Sequence, residues 1–236
     1  MANLRSSIVA GLAVSALFAF PVEARAQAAP GLETEGAYWT RSVPAPSNAV
    51  ELTLATGYVQ GLGQIHEGAA NNVKDSVGPG MSLELGLGYR LSPRWMLGAT
   101  GAYQLYDGDE LADETLPHGA LARLDATYHF DAFSRLDPWL RAGIGYRMLH
   151  ATSALRDGSE SRLHGFELLG LTAGLDLRAH RQFALAPVLG ADLDMFVWDE
   201  EGTIEEPRLS AFVFAGVQAR FDIGGRYRRA GELASR

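Results

Sequence analysis

The chain has 236 residues, no cysteine, and a formal net charge of -8 at pH 7. Without cysteine there are no disulfides, thiolate metal ligands or thiol catalysis, and the acidic balance disfavours nucleic acid as a partner. No cofactor is predicted, and the length fits a single domain once an N-terminal signal segment is removed.

The N-terminus predicts a secretory signal peptide over residues 1–26. Arg5 precedes the apolar run Ile8 to Phe20, and small residues allow cleavage after Ala26 or Ala28. A run of roughly 13 residues is too short for a transmembrane helix, which needs about 20. We therefore expect an exported protein.

The remaining sequence divides into three predicted parts. Residues 27–48 contain several prolines without periodicity and predict a flexible periplasmic lead-in. Residues 49–222 carry the repeating pattern of a barrel domain, and residues 223–236 form a basic C-terminal tail.

Eight stretches of the barrel domain alternate apolar residues with polar or small ones. The clearest is Met81 to Leu91, in which every second residue from Met81 is apolar. Because a strand turns over at each residue, this pattern predicts a two-faced strand and not a helix. The predicted strands span about 50–60, 81–91, 95–106, 120–130, 139–148, 166–178, 183–198 and 209–222.

The connections between the predicted strands alternate in length. The long loops are 61–80, 107–117, 153–161 and 199–207, and short turns join the other strand pairs. An even strand count with this alternation leaves both termini on the periplasmic side. The pattern predicts an all-β, eight-stranded, antiparallel up-and-down transmembrane β-barrel with short periplasmic turns and longer external loops.

Two positions predict local irregularities in the barrel. The adjacent apolar residues Leu168 and Leu169 break the alternation and predict a β-bulge. Pro187 lies inside the seventh strand and lacks a backbone donor. Because a closed barrel has no free edge, we expect Pro187 at a bulge or at a position without a ladder hydrogen bond.

The composition of the two faces predicts which one points inward. The polar face is rich in glycine and alanine and carries charges of both signs, which fits a narrow lumen filled by ion pairs. Aromatic residues cluster near the strand ends of the apolar face, as in a lipid-facing band. The predicted lumenal charge network consists of Glu51, Glu84, Arg123, Asp125, Arg141, Arg147, Asp176, Asp192, Asp194 and Arg220. The alternative is a soluble periplasmic lipocalin-like binding barrel with an apolar interior.

The layout from about Val50 to Asp222 resembles the small eight-stranded outer-membrane barrels of the OmpA-like and OmpX-like type. Gly216 to Phe221 also looks like the C-terminal insertion signal read by the barrel-assembly machinery, although the chain continues past Phe221. The resemblance implies an integral protein of a Gram-negative outer membrane, with outer-membrane lipid and the assembly machinery as partners.

The second long loop is strongly acidic. Its carboxylates are Asp107, Asp109, Glu110, Asp113 and Glu114. Such oxygens can hold a divalent cation, but no dedicated calcium-loop spacing is present, and simple solvation of the loop is the other interpretation.

A weaker pattern suggests an enzyme. His150 and Thr152 share the lipid-facing parity if the fifth strand continues outward, and Glu167 begins the next strand. A base, a hydroxyl and an orienting acid at the outer rim are what ester hydrolysis requires. This arrangement loosely resembles the outer-membrane lipid A deacylase family, whose catalytic pair is His-x-Ser, with Thr152 here in place of serine.

The favoured prediction is a non-enzymatic integral outer-membrane protein with a side-chain-filled lumen. Its external loops would serve a structural, adhesion or envelope-complex scaffold role, with another envelope protein as candidate partner. Function on such a scaffold depends on loops and rim residues, which the fold does not determine.

Overall fold

The computed structural model describes residues 43–65, 72–107, 116–152, 160–200 and 202–227. The predicted signal peptide, most of the lead-in and the end of the basic tail lie outside the described residues. All described residues belong to one unit of the chain, Trp39–Arg236.

Nine strands and one short helix are found among the described residues. The helix α1 is Val73–Ser76, in the first long loop. The strands are β1 Ala49–Gly63, β2 Gly80–Arg90, β3 Trp95–Tyr106, β4 His118–His129, β5 Leu136–Thr152, β6 Glu160–His180, β7 Phe183–Asp199, β8 Gly202–Thr203 and β9 Leu209–Ile223.

Eight of these strands close into an antiparallel barrel, as predicted. Each strand from β1 to β7 pairs with the next one, and β9 pairs with both β7 and β1. The two-residue strand β8 pairs only with the end of β7. Closure leaves no unpaired sheet edge, which is the condition for a sheet to lie in lipid.

The strands β5 and β6 extend further outward than predicted. Their pairing continues to Thr152 and Glu160, whereas the apolar alternation predicted a start of the sixth strand near Phe166. Periodicity reports only the part of a strand with one apolar face. The outer ends of these two strands are polar, so their backbone pairing left no such signal.

The register sets the tilt of the strands. Paired residues lead around the barrel from Thr53 through Gly86, Thr100, Arg123, Gly145, Glu167, Asp194 and Ser210 to Gly63. The path returns to β1 ten residues from its start. For eight strands, an offset of this size corresponds to a tilt of roughly 35–45° and to an interior that side chains can fill.

Both predicted irregularities are present. The β6–β7 register shifts between Glu167 and Leu169, which confirms the bulge. Pro187 pairs with Val217 of β9. On its other side, the pairing between β6 and β7 is interrupted between Gly174 and Leu177. The proline therefore occupies a gap in the ladder, where its missing N–H is tolerated.

The two described ends of the chain lie at the short-turn end of the barrel. Ser47 and Arg226 form a backbone bridge there. Tyr227 follows, and its hydroxyl donates to the carbonyl oxygen of Arg181 at 3.3 Å. Partial burial, with a contribution from Asp222, raises the pKa of the Tyr227 phenol.

The outer wall is apolar and the inner wall is polar. Large aliphatic side chains at mid-strand point outward, among them Leu124, which is 68% exposed, and Leu85, which is 62% exposed. A continuous apolar belt of this extent is unstable in water and fits the hydrocarbon core of a bilayer. The lipocalin-like alternative is therefore wrong, because such a barrel needs its apolar face inside.

Aromatic side chains border the belt at both ends. Tyr103, Tyr146 and Trp198 lie toward the long loops, and Trp95 and Phe221 lie toward the short turns. Such girdles mark the two membrane–water interfaces. Among the described residues, no helix is long and apolar enough to span a membrane.

We expect Leu85→Arg to impair barrel assembly far more than Leu116→Arg. The two leucines are similarly exposed, at 62% and 61%, but Leu85 lies mid-strand and Leu116 lies at the loop end. An outward arginine costs about 2–4 kcal/mol at the bilayer midplane and about 0–1 near the interface. The folded fraction in lipid vesicles, read as the heat-modifiable gel band, measures the difference, and equal losses would contradict the assigned outer face.

Candidate functional site

The loop-end half of the lumen is organised around Arg147. Its guanidinium contacts Asp192 at 2.6 Å, Asp194 at 3.0 Å and the side-chain oxygen of Gln104 at 2.8 Å. The ring of Phe212 lies 4.1 Å from the guanidinium carbon. Because the Arg147 side chain is fully buried, these contacts replace the water that the charge loses.

The middle of the lumen is crossed by a second arginine. Arg123 contacts Asp192 at 2.6 Å and Glu167 at 2.7 Å, which links it to the Arg147 group. Glycine makes room for this pair, since a Cβ on Gly170 would lie 1.8 Å from a Glu167 oxygen. Glycine lowers strand propensity, but on the inner wall it also leaves the space that the ion pair occupies.

The turn-end half contains three more buried arginines. Arg90 contacts Glu51 and Asp222, and Arg178 shares Asp222 at 2.7 Å. Arg220 completes the group by contacting Glu51 at 3.2 Å and Asp176 at 3.3 Å. Each carboxylate in this group thus lies between two guanidinium groups, which is the arrangement that makes buried charge tolerable.

His129 extends this group toward the short turns. Its Nδ1 lies 2.7 Å from Asp137, and its Nε2 lies 2.6 Å from a nitrogen of Arg220. Arginine can only donate, so Nε2 accepts and Nδ1 carries the proton donated to Asp137. The imidazole is therefore neutral and held in one tautomer.

The same histidine belongs to a group with metal-ligand spacing. One ligand atom from each of His129, Asp137 and Asp176 lies within 4.8 Å of the others. The arginine on Nε2 and the hydrogen bond from Nδ1 occupy both imidazole nitrogens. These residues fit a hydrogen-bonded ionic cluster better than a metal centre, which needs a free imidazole lone pair.

An apolar cluster seals the loop end of the lumen. It comprises Val59, Ile65, Val73, Val77, Tyr106, Leu149, Leu163, Phe196, Ile204 and Phe212. The first long loop contributes to it through α1, since Val73 is fully buried. Beneath it, the pocket beside Thr53, Met96 and Arg141 measures about 10 Å³, the space of roughly one water molecule.

The structure places all ten residues of the predicted charge network on the inner wall. It also adds Arg90 and Arg178, which the alternation places on the polar face but the predicted network omitted, and the residues His129, Asp137, Glu167 and Asp222. Arg90, Arg178 and Asp222 share the inward parity, which is the signal that could have found them. They lie at strand ends, where parity alone does not distinguish the lumen from the periplasmic rim.

Glu167 does not join His150 in the predicted catalytic group at the outer rim. His150 has the predicted outward parity and pairs with His118 of β4, whose ring stacks on it at 4.8 Å. The placement of Glu167 beside His150 is wrong, because Glu167 is buried in the lumen against Arg123. Its register partner on β5 is Gly145, which has inward parity, whereas the His150 ring has outward parity. The side chain of Thr152 lies outside the described residues.

The acidic second loop is described only at its two ends, Asp107 and residues 116–117. Asp107 is exposed, and its backbone joins Gly78 and Pro79 of the first loop. Asp109, Glu110, Asp113 and Glu114 lie outside the described residues, so a divalent cation there stays a prediction.

The fold and the filled lumen define a small, eight-stranded transmembrane β-barrel. No protein-family model matches the sequence, and no curated protein matches it. Among solved structures, Neisserial surface protein A is 16% identical with a TM-score of 0.49, over 73% of this chain and 96% of that one.

Two further solved structures have lower TM-scores. Ail, the attachment invasion locus protein of Yersinia pestis, is 14% identical with a TM-score of 0.43, over 74% of this chain and 99% of that one. The outer membrane enzyme PagL is 14% identical with a TM-score of 0.36, over 72% of this chain and 98% of that one. At these values the likeness carries no functional information about this chain.

We expect Arg147→Met to destabilise the barrel strongly. The change leaves Asp194 buried without its arginine and removes one of the two arginines that contact Asp192, and breaking a buried pair costs about 3–5 kcal/mol. The free energy of unfolding in urea, measured in lipid vesicles, gives the loss. Arg94→Met is the matched control, because Arg94 is exposed in the turn after β2 and should shift the value by only about 0.5 kcal/mol. Equal effects would show that the lumenal network adds no stability.

Proposed function

We propose that this protein is a non-enzymatic integral protein of the Gram-negative outer membrane, a sealed barrel that anchors recognition loops at the cell surface. The observation that carries the proposal is the combination of an apolar outer belt with a lumen filled by ion pairs and closed by an apolar plug. Recognition then falls to the loops and to the outer wall, because ion pairs and the apolar cluster fill the interior of an eight-stranded barrel among the residues that the structure describes.

Transport of small solutes through the lumen does not fit this geometry. A solute would have to separate Arg147 from two carboxylates and then pass the apolar cluster that includes Phe196 and Phe212. Breaking a buried pair of this kind costs several kcal/mol.

Lipid hydrolysis is disfavoured by the position of Glu167. Without it, His150 lacks the predicted acid that would orient its ring, and its stacking partner is another histidine. Nucleophilic catalysis needs the base within hydrogen-bond reach of both its hydroxyl and its orienting group.

The orientation follows from the alternation of loops. We place the short turns and both termini in the periplasm and the long loops outside, after removal of the signal peptide and insertion by the barrel-assembly machinery. The acidic loops would then face divalent cations, surface lipid or an envelope protein, and this surface is where an adhesion or scaffold role would be exercised.

The purified barrel should not conduct. In planar bilayers we expect no stable channel steps, and in proteoliposomes we expect sugar-driven swelling at the rate of protein-free vesicles, because the lumen is filled along its length. A general-diffusion porin of many strands, reconstituted in parallel, is the positive control. Steady conductance from folded wild-type protein would overturn the sealed-anchor proposal.

The protein should also release no acyl chains from purified lipid A. We expect wild type and His150→Ala to give the same background by mass spectrometry of free fatty acids, since Glu167, the predicted orienting acid, lies in the lumen against Arg123. Release by wild type that disappears in the His150 variant would instead establish a hydrolase.

A further inference from the structure

A groove runs along one side of the outer wall, across β3 to β6. Its volume is about 730 Å³, and it is open to the bilayer. Its outward-facing lining includes Gly101, Ala122, Leu124, Ile144, Phe166 and Leu168, and the inward-facing residues Thr100, Arg123 and Glu167 also border it. The rest of the belt carries large side chains at many of the equivalent positions, so this depression is a local feature of the wall.

Two features of the sequence create the groove. Gly101 and Ala122 are register partners, so two minimal side chains adjoin at its floor. On its far side, the β5–β6 register shifts between Gly143 and Gly145, beside the bulge that contains Leu168. A Cβ added at Gly101 would meet nothing nearer than the Leu121 carbonyl oxygen at 3.9 Å, which shows that the space above the floor is free.

A cluster of nitrogen donors borders the groove at the outer rim. His118 and His150 stack across β4 and β5, and Arg162 is the register partner of His150 on β6. The Arg162 side chain is 61% exposed and lies 3.7 Å from Glu200, a weak contact at the surface. His164 follows two residues later on the same strand.

Tyr146 connects the groove to this rim. Its ring lines the groove, and its hydroxyl lies 2.7 Å from Nδ1 of His164. On β4, the floor residue Ala122 is four positions from His118, a strand length of roughly 13 Å at 3.3 Å per residue. The apolar depression and the donor cluster are therefore the lower and upper parts of one continuous surface.

We propose that this surface binds one molecule of a phosphorylated glycolipid, the lipid A moiety of the outer leaflet. An acyl chain would lie in the groove against its outward-facing apolar side chains, and a phosphate would meet His118, Arg162 and His164 at the level of the headgroups, with His150, only 7% exposed, stacked on His118. The leaflet assignment rests on the proposed function, which places the long-loop end outside. Tail and headgroup are recognised together, which distinguishes a bound lipid from the lipid that surrounds any membrane protein.

Native mass spectrometry of the folded full chain tests this surface. The protein is released from detergent micelles that contain bisphosphorylated lipid A, dephosphorylated lipid A or phosphatidylethanolamine, and the lipid-bound fraction is measured. We expect retention of bisphosphorylated lipid A and about fivefold less retention of the dephosphorylated form, since a basic residue at a surface is worth about 1 kcal/mol toward anionic lipid.

Two variants separate the groove from the rim. Gly101→Phe fills the groove and should reduce lipid A retention about tenfold, which corresponds to about 1.4 kcal/mol. Ala215→Phe is its control, because Ala215 points outward on β9, the strand opposite β4 in the barrel. The double variant with H118A and R162A should reduce lipid A retention about fivefold. The double variant with H180A and R181A, at the opposite end of the barrel, is its control.

Several outcomes would overturn the proposal. Equal retention of phosphatidylethanolamine and lipid A would show ordinary surrounding lipid, and retention unchanged by Gly101→Phe would place lipid elsewhere. Dimers of the chain that disappear in Gly101→Phe would make the groove a self-association surface. Heat-modifiable mobility of each variant confirms folding. Lipid retention and conductance are measured independently. Loss of lipid A retention would therefore not contradict the sealed-anchor proposal, and a conducting barrel would not change the lipid result.

Discussion

The structure depends first on the requirement that every backbone N–H and C=O be paired within the hydrocarbon of a bilayer. A sheet meets this requirement only when its last strand returns to its first, as β9 does against β1. With eight strands, closure sets an interior that only side chains can fill. The narrow lumen, its small residues and its dense charge are consequences of that closure, as is the absence of room for a ligand among the lumenal residues described.

The lumenal charges solve a problem that closure creates. Arginines such as Arg147 and Arg220 lie far from bulk water, so each contacts carboxylates, and beside Arg123 two glycines leave the space that its long side chain needs. Such networks are costly to break and add little stability over an apolar core. Their value here lies in specificity. When the inner wall is polar and only the outer wall is apolar, the strand alternation permits one register and one choice of inward face.

In the proposed function, recognition falls to the outer surface. Because side chains fill the lumen, the loops and the outer wall are the surfaces left for binding. On one side of the wall, the small residues Gly101 and Ala122 form a depression below a rim that contains histidines. That rim is where sequence reasoning also placed a catalytic group. The proposed phosphate contact uses the same rim, because binding needs donors at one level of the membrane and no proton relay.

The sequence by itself determined the strand count, the alternation of loops, the inward set of charges and the bulge near Leu168, because each follows from a period of two along the chain. Only the tertiary structure decided which charges meet. Arg123 and Glu167 come from non-neighbouring strands, and a bulge turns Glu167 inward, away from His150. The sequence did not reveal the groove either, because Gly101, Ala122 and Leu168 become neighbours only through the register of four strands. Local periodicity does not encode that register.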